Sequence, residues 1–306
     1  METKYAFFQG QIVPIEQAKV SVMTHALHYG TACFGGIRAY WNEQDEQLYV
    51  FRLEDHIKRF LSSASLLLMK VPYSPEQLRD VVLDLLRREG QRTDMYVRPL
   101  AYKADHKIGV LLHGLTDEVT IFATPFGRYV ANEEGASVRI SSWRRVDDNA
   151  IPARGKIAGA YVNSSLVKSE ALMDGYDEAI VLDEHGHVSE GSAANIFMVR
   201  DGQLVTPPVS SNILEGITRR TIMELAAAEL GIETEEREID RTELYVCDEL
   251  FFCGTGVQVA AITAVDHRPV GAGIMGPLTT TIRNLYFDVV RGHVAKYRAW
   301  NTPVFV

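Results

Sequence analysis

The sequence has few cysteines and no long apolar run. It contains three cysteines among 306 residues, Cys33, Cys247 and Cys253, and none has the CxxC spacing of a zinc or redox site. This pattern predicts reduced thiols, with no disulfide framework and no metal site. No window approaches the run of about eighteen apolar residues that a membrane span needs, and no basic flank with an apolar run follows the first methionine. We therefore expect a cytoplasmic chain without a membrane segment.

Positive charge is also scarce. The formal net charge is −9 at pH 7, and the densest basic stretch, from Arg144 to Lys156, contains Asp147 and Asp148. Because a negative field repels phosphate backbones, we expect no nucleic-acid partner. A hydrophobic fraction of 46% with 23% charged residues is typical of a globular protein, and 306 residues favour two domains.

Two short patterns imitate cofactor or metal motifs. Residues 271–276 match GxGxxG, but Pro277 follows directly and too little chain remains for a dinucleotide-binding βαβ unit. We therefore predict a turn and a helix start there. His25 and His28 have no third ligand at metal spacing, which favours a packed or hydrogen-bonded pair.

Strand and helix patterns are interspersed without regular βαβ spacing, which favours an α+β architecture. The turn-rich residues 125–135 predict a linker, with a smaller N-terminal domain over 1–124 and a larger C-terminal domain over 136–306. Helical periodicity and end signals predict helices over 55–68, 75–88, 161–174, 218–230 and 278–296. Alternation predicts strands over segments that include 5–8, 47–51, 96–101, 119–124, 137–141, 178–183 and 195–200.

Lys156 and Glu190 are candidates for cofactor chemistry. Lys156 lies among small residues in 152–161, and an imine-forming lysine must be accessible and partly desolvated. Glu190 lies on a small-residue loop, and a carboxylate beside a pyridine nitrogen keeps that nitrogen protonated. Taken singly, each residue also fits an ordinary surface turn.

Two glycine-containing segments are candidates for anion binding. Gly216 precedes a predicted helix, whose first N–H groups and positive dipole end suit a phosphate. Thr218 is alternatively an ordinary N-cap of that helix. Residues 254–256 follow a strand-like run and offer further backbone amides to an anion.

Taken together, these segments resemble the fold-type IV pyridoxal-phosphate transaminases, and among them the branched-chain aminotransferases. The resemblance runs from Gln11 to about Arg291 and rests on the order and spacing of several blocks: residues 23–30, 34–38, 96–99, 156 with 161, 189–191, 216–219 and 254–255. It implies a two-domain α+β fold like that of D-amino-acid aminotransferase. The cofactor would lie between the domains and the lysine on the larger one.

The resemblance implies pyridoxal 5'-phosphate as the cofactor. Lys156 would be the catalytic residue, forming the imine and carrying the proton between the substrate Cα and the cofactor. Glu190 would face the pyridine nitrogen and Tyr161 the phenolic oxygen. The phosphate would be bound by Arg59, Gly216, Ile217, Thr218 and Thr255.

The substrate site is also implied by the resemblance. The α-carboxylate would meet Tyr96 and the backbone N–H groups of Thr255 and Gly256. Arg98, with Arg38 as a second candidate, would receive the distal carboxylate of glutamate or 2-oxoglutarate. The apolar side-chain pocket would be lined by Phe34, Val110, Tyr129 and, from the partner subunit, Tyr29.

The implied activity is transamination between L-branched-chain amino acids and 2-oxoglutarate by a ping-pong mechanism, in a homodimer or higher homo-oligomer. The alternatives are a D-amino acid or (R)-amine transaminase of the same fold, an aminodeoxychorismate lyase, or a non-catalytic binding protein. Three residues depart from the family pattern: Gly35 replaces a glutamate, and Ala193 and Ala194 replace a glycine and a glutamate. Losing two acids predicts a looser substrate choice.

Overall fold

The computed structural model describes residues 3–127 and 132–305. The chain divides into two compact units, and each has α+β composition. The first unit is Met1–Gly127 with Gly155–Ala160 and Asp288–Val306, and the second is Arg128–Arg154 with Tyr161–Phe287. Along the described chain, no helix is both long enough and apolar enough to cross a membrane.

The first unit is built on an antiparallel sheet. Its elements are β1 (Tyr5–Phe8), β2 (Gln11–Pro14), α1 (His25–Tyr29), β3 (Ala32–Phe34), β4 (Ile37–Asn42), β5 (Gln47–Phe51), α2 (Leu53–Leu66), α3 (Pro75–Glu89), β6 (Met95–Lys103) and β7 (Asp117–Pro125), together with a C-terminal strand (Asn301–Pro303) that pairs with β5. Within the described residues the sheet has eight strands in the order C-terminal strand, β5, β4, β6, β7, β1, β2, with β3 also paired to β6. Both β3 and β4 therefore pair with β6, at different parts of its length.

The short segment Gly155–Ala160 belongs to the first unit, whereas the sequence places Lys156 in the C-terminal domain. The difference has a backbone cause. The Phe34 N–H donates to the Lys156 carbonyl over 3.0 Å, and Cys33 forms an isolated β-bridge with Ile157. These bonds extend β3 by one further pairing, so the lysine segment is held against that strand.

Two helices of this unit show when local capping signals are enough to predict the ends of a helix. The helix α3 begins at a Ser74–Gln77 capping box and ends at Gly90, whose φ of 61° is left-handed, close to the predicted 75–88. The helix α2 begins two residues before the predicted start. Its N-cap, Arg52, is held in a left-handed conformation by a 2.7 Å bond from its N–H to the Trp300 carbonyl, a partner that local sequence does not show.

The second unit is built on a mixed sheet. Its elements are β8 (Ala136–Arg144), α4 (Tyr161–Met173), β9 (Glu178–Leu182), β10 (Val188–Gly191), β11 (Asn195–Arg200), β12 (Gln203–Thr206), α5 (Ile217–Leu230), β13 (Thr234–Glu236), β14 (Glu249–Gly254), β15 (Gln258–Val265), β16 (Arg268–Pro269) and α6 (Pro277–Val290), whose last turn is grouped with the first unit. In the described part of the chain nine strands form this sheet, in the order β10, β9, β8, β15, β14, β11, β12, β13, with β16 on β15. The pairs β8–β9, β8–β15 and β12–β13 are parallel.

The glycine-rich residues 271–276 form a turn before α6, which confirms the predicted helix start. The Glu249 carboxylate occupies that start, because it accepts hydrogen bonds from the Leu278 and Thr279 N–H groups at 3.0 and 2.7 Å. A Cβ at Gly276 would lie 2.1 Å from the Glu249 carboxyl carbon. The glycine therefore makes room for a protein side chain that caps the helix.

The predicted last helix, 278–296, is too long. The helix α6 ends at Val290, and Gly292 follows with a φ of 79°, which breaks the helical path. Residues Ala295–Trp300 form a separate 3-10 helix, and the Arg52 guanidinium lies 3.8 Å from the centre of the Trp300 ring. Apolar periodicity continues past the break because these residues pack against the sheet of the first unit.

The two histidines of 25–28 make hydrogen bonds, as the sequence predicts. The ring nitrogens of His25 lie 2.8 Å from Thr31 Oγ1 and 2.8 Å from the Gly109 carbonyl. His28 Nε2 lies 2.8 Å from the Val22 carbonyl. Both rings therefore fasten loops of the first unit.

Candidate active site

Lys156 lies half-buried in the first unit, with its Nζ atom 5.1 Å from the centre of the Phe34 ring. Its backbone N–H donates to Ser63 Oγ over 3.1 Å, and that hydroxyl donates to the Arg59 carbonyl over 2.9 Å. Ser63 is fully buried. This bridge links the lysine segment to the turn of α2 that carries the predicted phosphate-binding arginine.

The small residues around Lys156 serve backbone packing. A Cβ added to Gly30, which has a φ of 65°, would lie 2.8 Å from Gly159 Cα. A Cβ at Gly155 would lie 2.9 Å from Leu66 Cδ1. The glycines thus let the lysine segment lie directly against neighbouring chain, which fixes the backbone from which the Lys156 side chain extends.

Phe34, Tyr96 and Arg98 form one cluster next to the lysine. The Arg98 guanidinium carbon lies 4.6 Å from the centre of the Phe34 ring, and Nη2 donates to the Tyr96 hydroxyl over 3.0 Å. Arg98 Nε is buried and has no hydrogen-bond partner among the described residues. A Cβ at Gly36 would lie 2.2 Å from the Tyr96 hydroxyl, so the glycine leaves room for that group. An amine, an apolar ring and a cation therefore lie together.

Arg38 has a different environment from Arg98. It lies opposite Tyr96 in the β4–β6 register but is only 3% exposed. Its Nη2 donates to the Gly127 carbonyl over 2.6 Å, and its guanidinium carbon lies 5.0 Å from the centre of the Phe126 ring. Of the two candidate arginines, Arg98 is the one whose guanidinium lies over the Phe34 ring, 4.6 Å from its centre.

Tyr29 is the last residue of α1, and Val110 lies in the segment between β6 and β7. The Tyr29 hydroxyl accepts a 3.0 Å hydrogen bond from the Gly109 N–H, and the Val110 side chain is 87% exposed. Tyr129, the third predicted pocket residue, lies outside the described residues.

Glu190 is a buried strand residue of the second unit, only 4% exposed, and the surface-turn interpretation is therefore wrong. Its Oε1 lies 3.0 Å from Arg145 Nη2. Its Oε2 accepts hydrogen bonds from Asn195 Nδ2 at 3.0 Å and from the Leu214 N–H at 3.3 Å. A bulge in β10 next to Glu190 changes the register with β9. Because every one of these partners is a donor, the cluster suits an ionised carboxylate.

Gly216 is the N-cap of α5 and has no side chain with which to cap it. Thr218 lies inside the helix, so the alternative that Thr218 is its N-cap is wrong. A Cβ at Gly216 would lie 2.0 Å from Asn195 Oδ1. Asn195 therefore contacts both Glu190 and the helix start. The first N–H groups of α5, at Ile217 and Thr218, have the geometry that phosphate binding uses.

Thr255 and Gly256 form the half-buried tip of the β14–β15 hairpin, and Tyr161 is the half-buried first residue of α4. Cys253, just before the tip, pairs with Asn195 in the β11–β14 register. Burial raises the pKa of the Cys253 thiol, a rise that the Arg219 charge opposes and the Glu190 charge reinforces. The hairpin thus offers its tip residues to a ligand while this thiol stays protonated.

Local packing explains why Gly35 and Ala194 stand where the family commonly has glutamate. The Gly35 N–H donates to the Pro99 carbonyl over 2.8 Å, and a Cβ at Gly35 would lie 2.6 Å from Pro99 Cγ. A glutamate at this position would require the proline ring to move. Ala194 is buried in the main apolar cluster of the second unit, where an acid would carry a desolvation cost.

Three residues of these clusters were absent from the candidates drawn from sequence: Ser63, Arg145 and Asn195. Ser63 occurs in an ordinary helical pattern, and Arg145 occurs in a short basic stretch. Asn195 occurs at the end of the Glu190 block, which is the one available signal. Ser63 and Arg145 were missed because their partners, Lys156 and Glu190, are distant in sequence.

The chain is similar to proteins of known family along almost its whole length. The model for Amino-transferase class IV matches residues 32–265. A probable branched-chain-amino-acid aminotransferase of Aquifex aeolicus (strain VF5) is 48% identical over 301 residues, which cover 98% of this chain and 97% of that protein.

Solved structures give the same result. The branched-chain aminotransferase of the thermophilic archaeon Thermoproteus uzoniensis, crystallised with norvaline, is 43% identical with a TM-score of 0.95, covering 99% of this chain and 100% of that one. The branched-chain amino acid aminotransferase of T.th., complexed with N-(5'-phosphopyridoxyl)-L-glutamate, is 40% identical with a TM-score of 0.94, covering 100% of both chains.

The α+β architecture predicted from the sequence is confirmed as the fold-type IV architecture of these enzymes. The similarity extends from the family model through the relatives to the structures, without a large uncovered segment. The chain therefore belongs to the class IV aminotransferases and, within them, to the branched-chain-amino-acid aminotransferases.

Proposed function

We infer that this chain is a pyridoxal-phosphate-dependent aminotransferase that moves the amino group between L-branched-chain amino acids and 2-oxoglutarate in a ping-pong reaction. The observation that carries this inference is the cluster around Phe34. Its ring has the Lys156 amine 5.1 Å from its centre and the Arg98 guanidinium carbon 4.6 Å away. The cluster combines a nucleophilic amine, an apolar wall and a cation for a second carboxylate.

The residues present fit pyridoxal phosphate. The Glu190 carboxylate is surrounded by donors, so it suits a protonated ring nitrogen. Gly216 has no side chain to cap the start of α5, so the N–H groups of Ile217 and Thr218 suit the phosphate together with Arg59 and Thr255. We assign Tyr161 to the phenolic oxygen. When bound, this cofactor supplies an electron sink for the bonds at the substrate Cα.

The chain's own residues then bind the substrate and move the proton. The Lys156 amine accepts the proton from the substrate Cα and would deliver it to the C4' carbon of the cofactor. Ser63 and the Phe34–Lys156 backbone bond hold the lysine segment in position for this step. Tyr96, with the N–H groups of Thr255 and Gly256, orients the substrate α-carboxylate.

Two kinds of side chain must enter one pocket in alternate half-reactions. The Phe34 ring offers apolar contact to a leucine-like side chain, and Arg98 offers charge to a glutamate-like one. Structures of relatives with norvaline and with a phosphopyridoxyl-glutamate adduct support both uses. We propose that Arg98 is the specificity residue for the distal carboxylate, whereas Arg38 is held by Gly127 and supports the strand.

Replacing Arg98 by methionine should separate the two half-reactions. We expect KM for 2-oxoglutarate to rise about tenfold or more, equivalent to roughly 1.4 kcal/mol, because the cation is lost. The half-reaction with L-leucine should stay within about twofold, because methionine keeps the apolar contact. Steady-state and single-turnover kinetics measure the two effects. Arg92→Met, at an exposed arginine of the same unit, is the control, and an unchanged KM in Arg98→Met would refute the assignment.

A substrate panel tests the proposed function itself. We expect L-valine and L-leucine to be converted at least about tenfold faster, by kcat/KM, than D-alanine or (R)-1-phenylethylamine. A faster rate with either of the latter two would instead favour the D-amino acid or (R)-amine alternative. Release of pyruvate from aminodeoxychorismate would favour the lyase alternative.

We further propose a cytoplasmic homodimer or higher homo-oligomer. Large apolar side chains are exposed on α1 and the turn before it, at Leu27 and Val22, and on the segment around Gly109 that hydrogen-bonds to α1, at Ile108 and Val110. Such a patch favours association, and a second copy would cover it and bring its Tyr29 to the pocket. The three free, buried cysteines suit a reducing compartment.

A further inference from the structure

Arg145 is the charged partner of the buried Glu190 carboxylate. The two groups are 3.0 Å apart, and their side chains are 12% and 6% exposed. Arg145 Nε also donates to the Asn212 carbonyl over 3.1 Å. Asn212 has a left-handed φ of 58° and lies just before the segment that leads to α5. One guanidinium therefore links the carboxylate to the approach of the helix that we assign to the phosphate.

The contacts favour a single charge state for Glu190. An arginine is always protonated, and Asn195 Nδ2 and the Leu214 N–H also donate to this carboxylate. Donors stabilise the ionised form of a carboxyl group, and a buried carboxylate that loses its counter-charge takes up a proton more readily. Cys253 also interacts with the Glu190 charge, and burial raises the pKa of this thiol, so it stays neutral.

We propose that Arg145 is a positioning residue for the transamination reaction, keeping Glu190 ionised and oriented so that the shared proton rests on the cofactor ring nitrogen. The proposal rests on the proposed function, because it needs a ring nitrogen opposite Glu190. The ring nitrogen and the Glu190 carboxylate share one proton, and no other proton or electron is gained or lost. With Arg145 present, the less basic carboxylate leaves that proton on nitrogen. Without Arg145, the proton moves toward the carboxylate.

The competing explanation is that this ion pair only supports the fold. Arg139, on β8 of the same unit, pairs with Asp174 and Glu170 at the surface and serves as the structural reference. Loss of either arginine removes an ion pair, but only loss of Arg145 should change the protonation of the cofactor. A spectroscopic measurement at the ring nitrogen therefore separates the two explanations.

The test loads wild type, Arg145→Met, Arg145→Lys and Arg139→Met with pyridoxal phosphate labelled with ¹⁵N at the ring nitrogen. We expect the ¹⁵N chemical shift of wild type, Arg145→Lys and Arg139→Met to be that of a protonated nitrogen near neutral pH. In Arg145→Met it should move toward the unprotonated value, and the single-turnover rate with L-leucine should fall by about tenfold or more, the equivalent of one pKa unit. A wild-type shift in Arg145→Met would overturn the proposal.

Two further observations keep the outcomes separate. Should Arg145→Met fail to fold, Arg145→Gln keeps a donor for the Asn212 carbonyl without the charge. It should show the same displaced signal, and a wild-type signal would again overturn the proposal. Failure of the proposed function is distinct, because wild type would then take up no cofactor or transfer no amino group from L-leucine.

Discussion

Lys156→Ala should lose turnover by about 10⁴-fold or more, the upper range for removal of a positioned acid–base group. It should also lose the near-visible absorption of a lysine-bound cofactor. Lys103, the fully buried lysine of the same unit, is not available to replace the amine. Its Nζ lies 2.8 Å from Asp117 and 3.2 Å from the Leu68 carbonyl. That amine is engaged in the structure and cannot reach a ligand without breaking both contacts.

The measurements are an absorption spectrum of the purified protein incubated with pyridoxal phosphate, and the rate of 2-oxo acid formation from L-leucine. Lys58→Ala is the matched control, because Lys58 is exposed on α2, one residue before Arg59. We expect it to behave as wild type. Retained absorption together with retained turnover in Lys156→Ala would show that another group holds the cofactor, and the proposed function would lose its central residue.

Glu190→Gln should slow removal of the substrate Cα proton by about 10²- to 10³-fold, the usual loss when a preorganised electrostatic partner is removed. The amide is nearly isosteric, so the Asn195 and Leu214 contacts can remain in part. It has no negative charge, however, so it cannot hold a protonated ring nitrogen. It also leaves the Arg145 cation without its counter-charge in a largely buried position.

Single-turnover kinetics with L-leucine, repeated with the Cα-deuterated substrate, isolate this step. Bound cofactor should persist, because the predicted phosphate ligands are unchanged. Glu178→Gln is the matched control: Glu178 is 2% exposed and lies 3.0 Å from Lys168 in the same unit. An unaltered rate in Glu190→Gln would exclude the electron-sink role, whereas an equal loss in Glu178→Gln would point to general destabilisation.

The predicted elements succeed where the signals are local. The capping box at Ser74 and the left-handed Gly90 define α3, and Gly216 with Gly231 bound α5 one residue from its predicted start. Prediction fails where a distant partner decides the boundary. The sequence predicts the last helix through Lys296, but Gly292 breaks it, and the following residues pack against Arg52. Periodicity reports that a segment is buried, and does not report which element it is buried against.

The candidate residues show the same division. Lys156, Arg98 and Phe34 were predicted through the resemblance, and the structure places them in one cluster of the first unit. The sequence shows Arg145 only as part of a basic stretch, because Glu190 lies 45 positions further along the chain, as the numbering shows. A pairing between the residue after one strand and a residue of another has no periodic signature in a single sequence. The roles of all these residues toward cofactor and substrate stay predictions.

The three cysteines have a practical consequence. Burial raises the pKa of Cys33 and of Cys247 to about 12, and that of Cys253 higher still. Alkylating reagents attack thiolates, so the folded enzyme should tolerate iodoacetamide, and labelling should occur only through transient opening of the chain. Cys33 forms a β-bridge with Ile157, the residue after Lys156. The rate at which Cys33 is labelled would therefore report how often the pairing between β3 and the lysine segment opens.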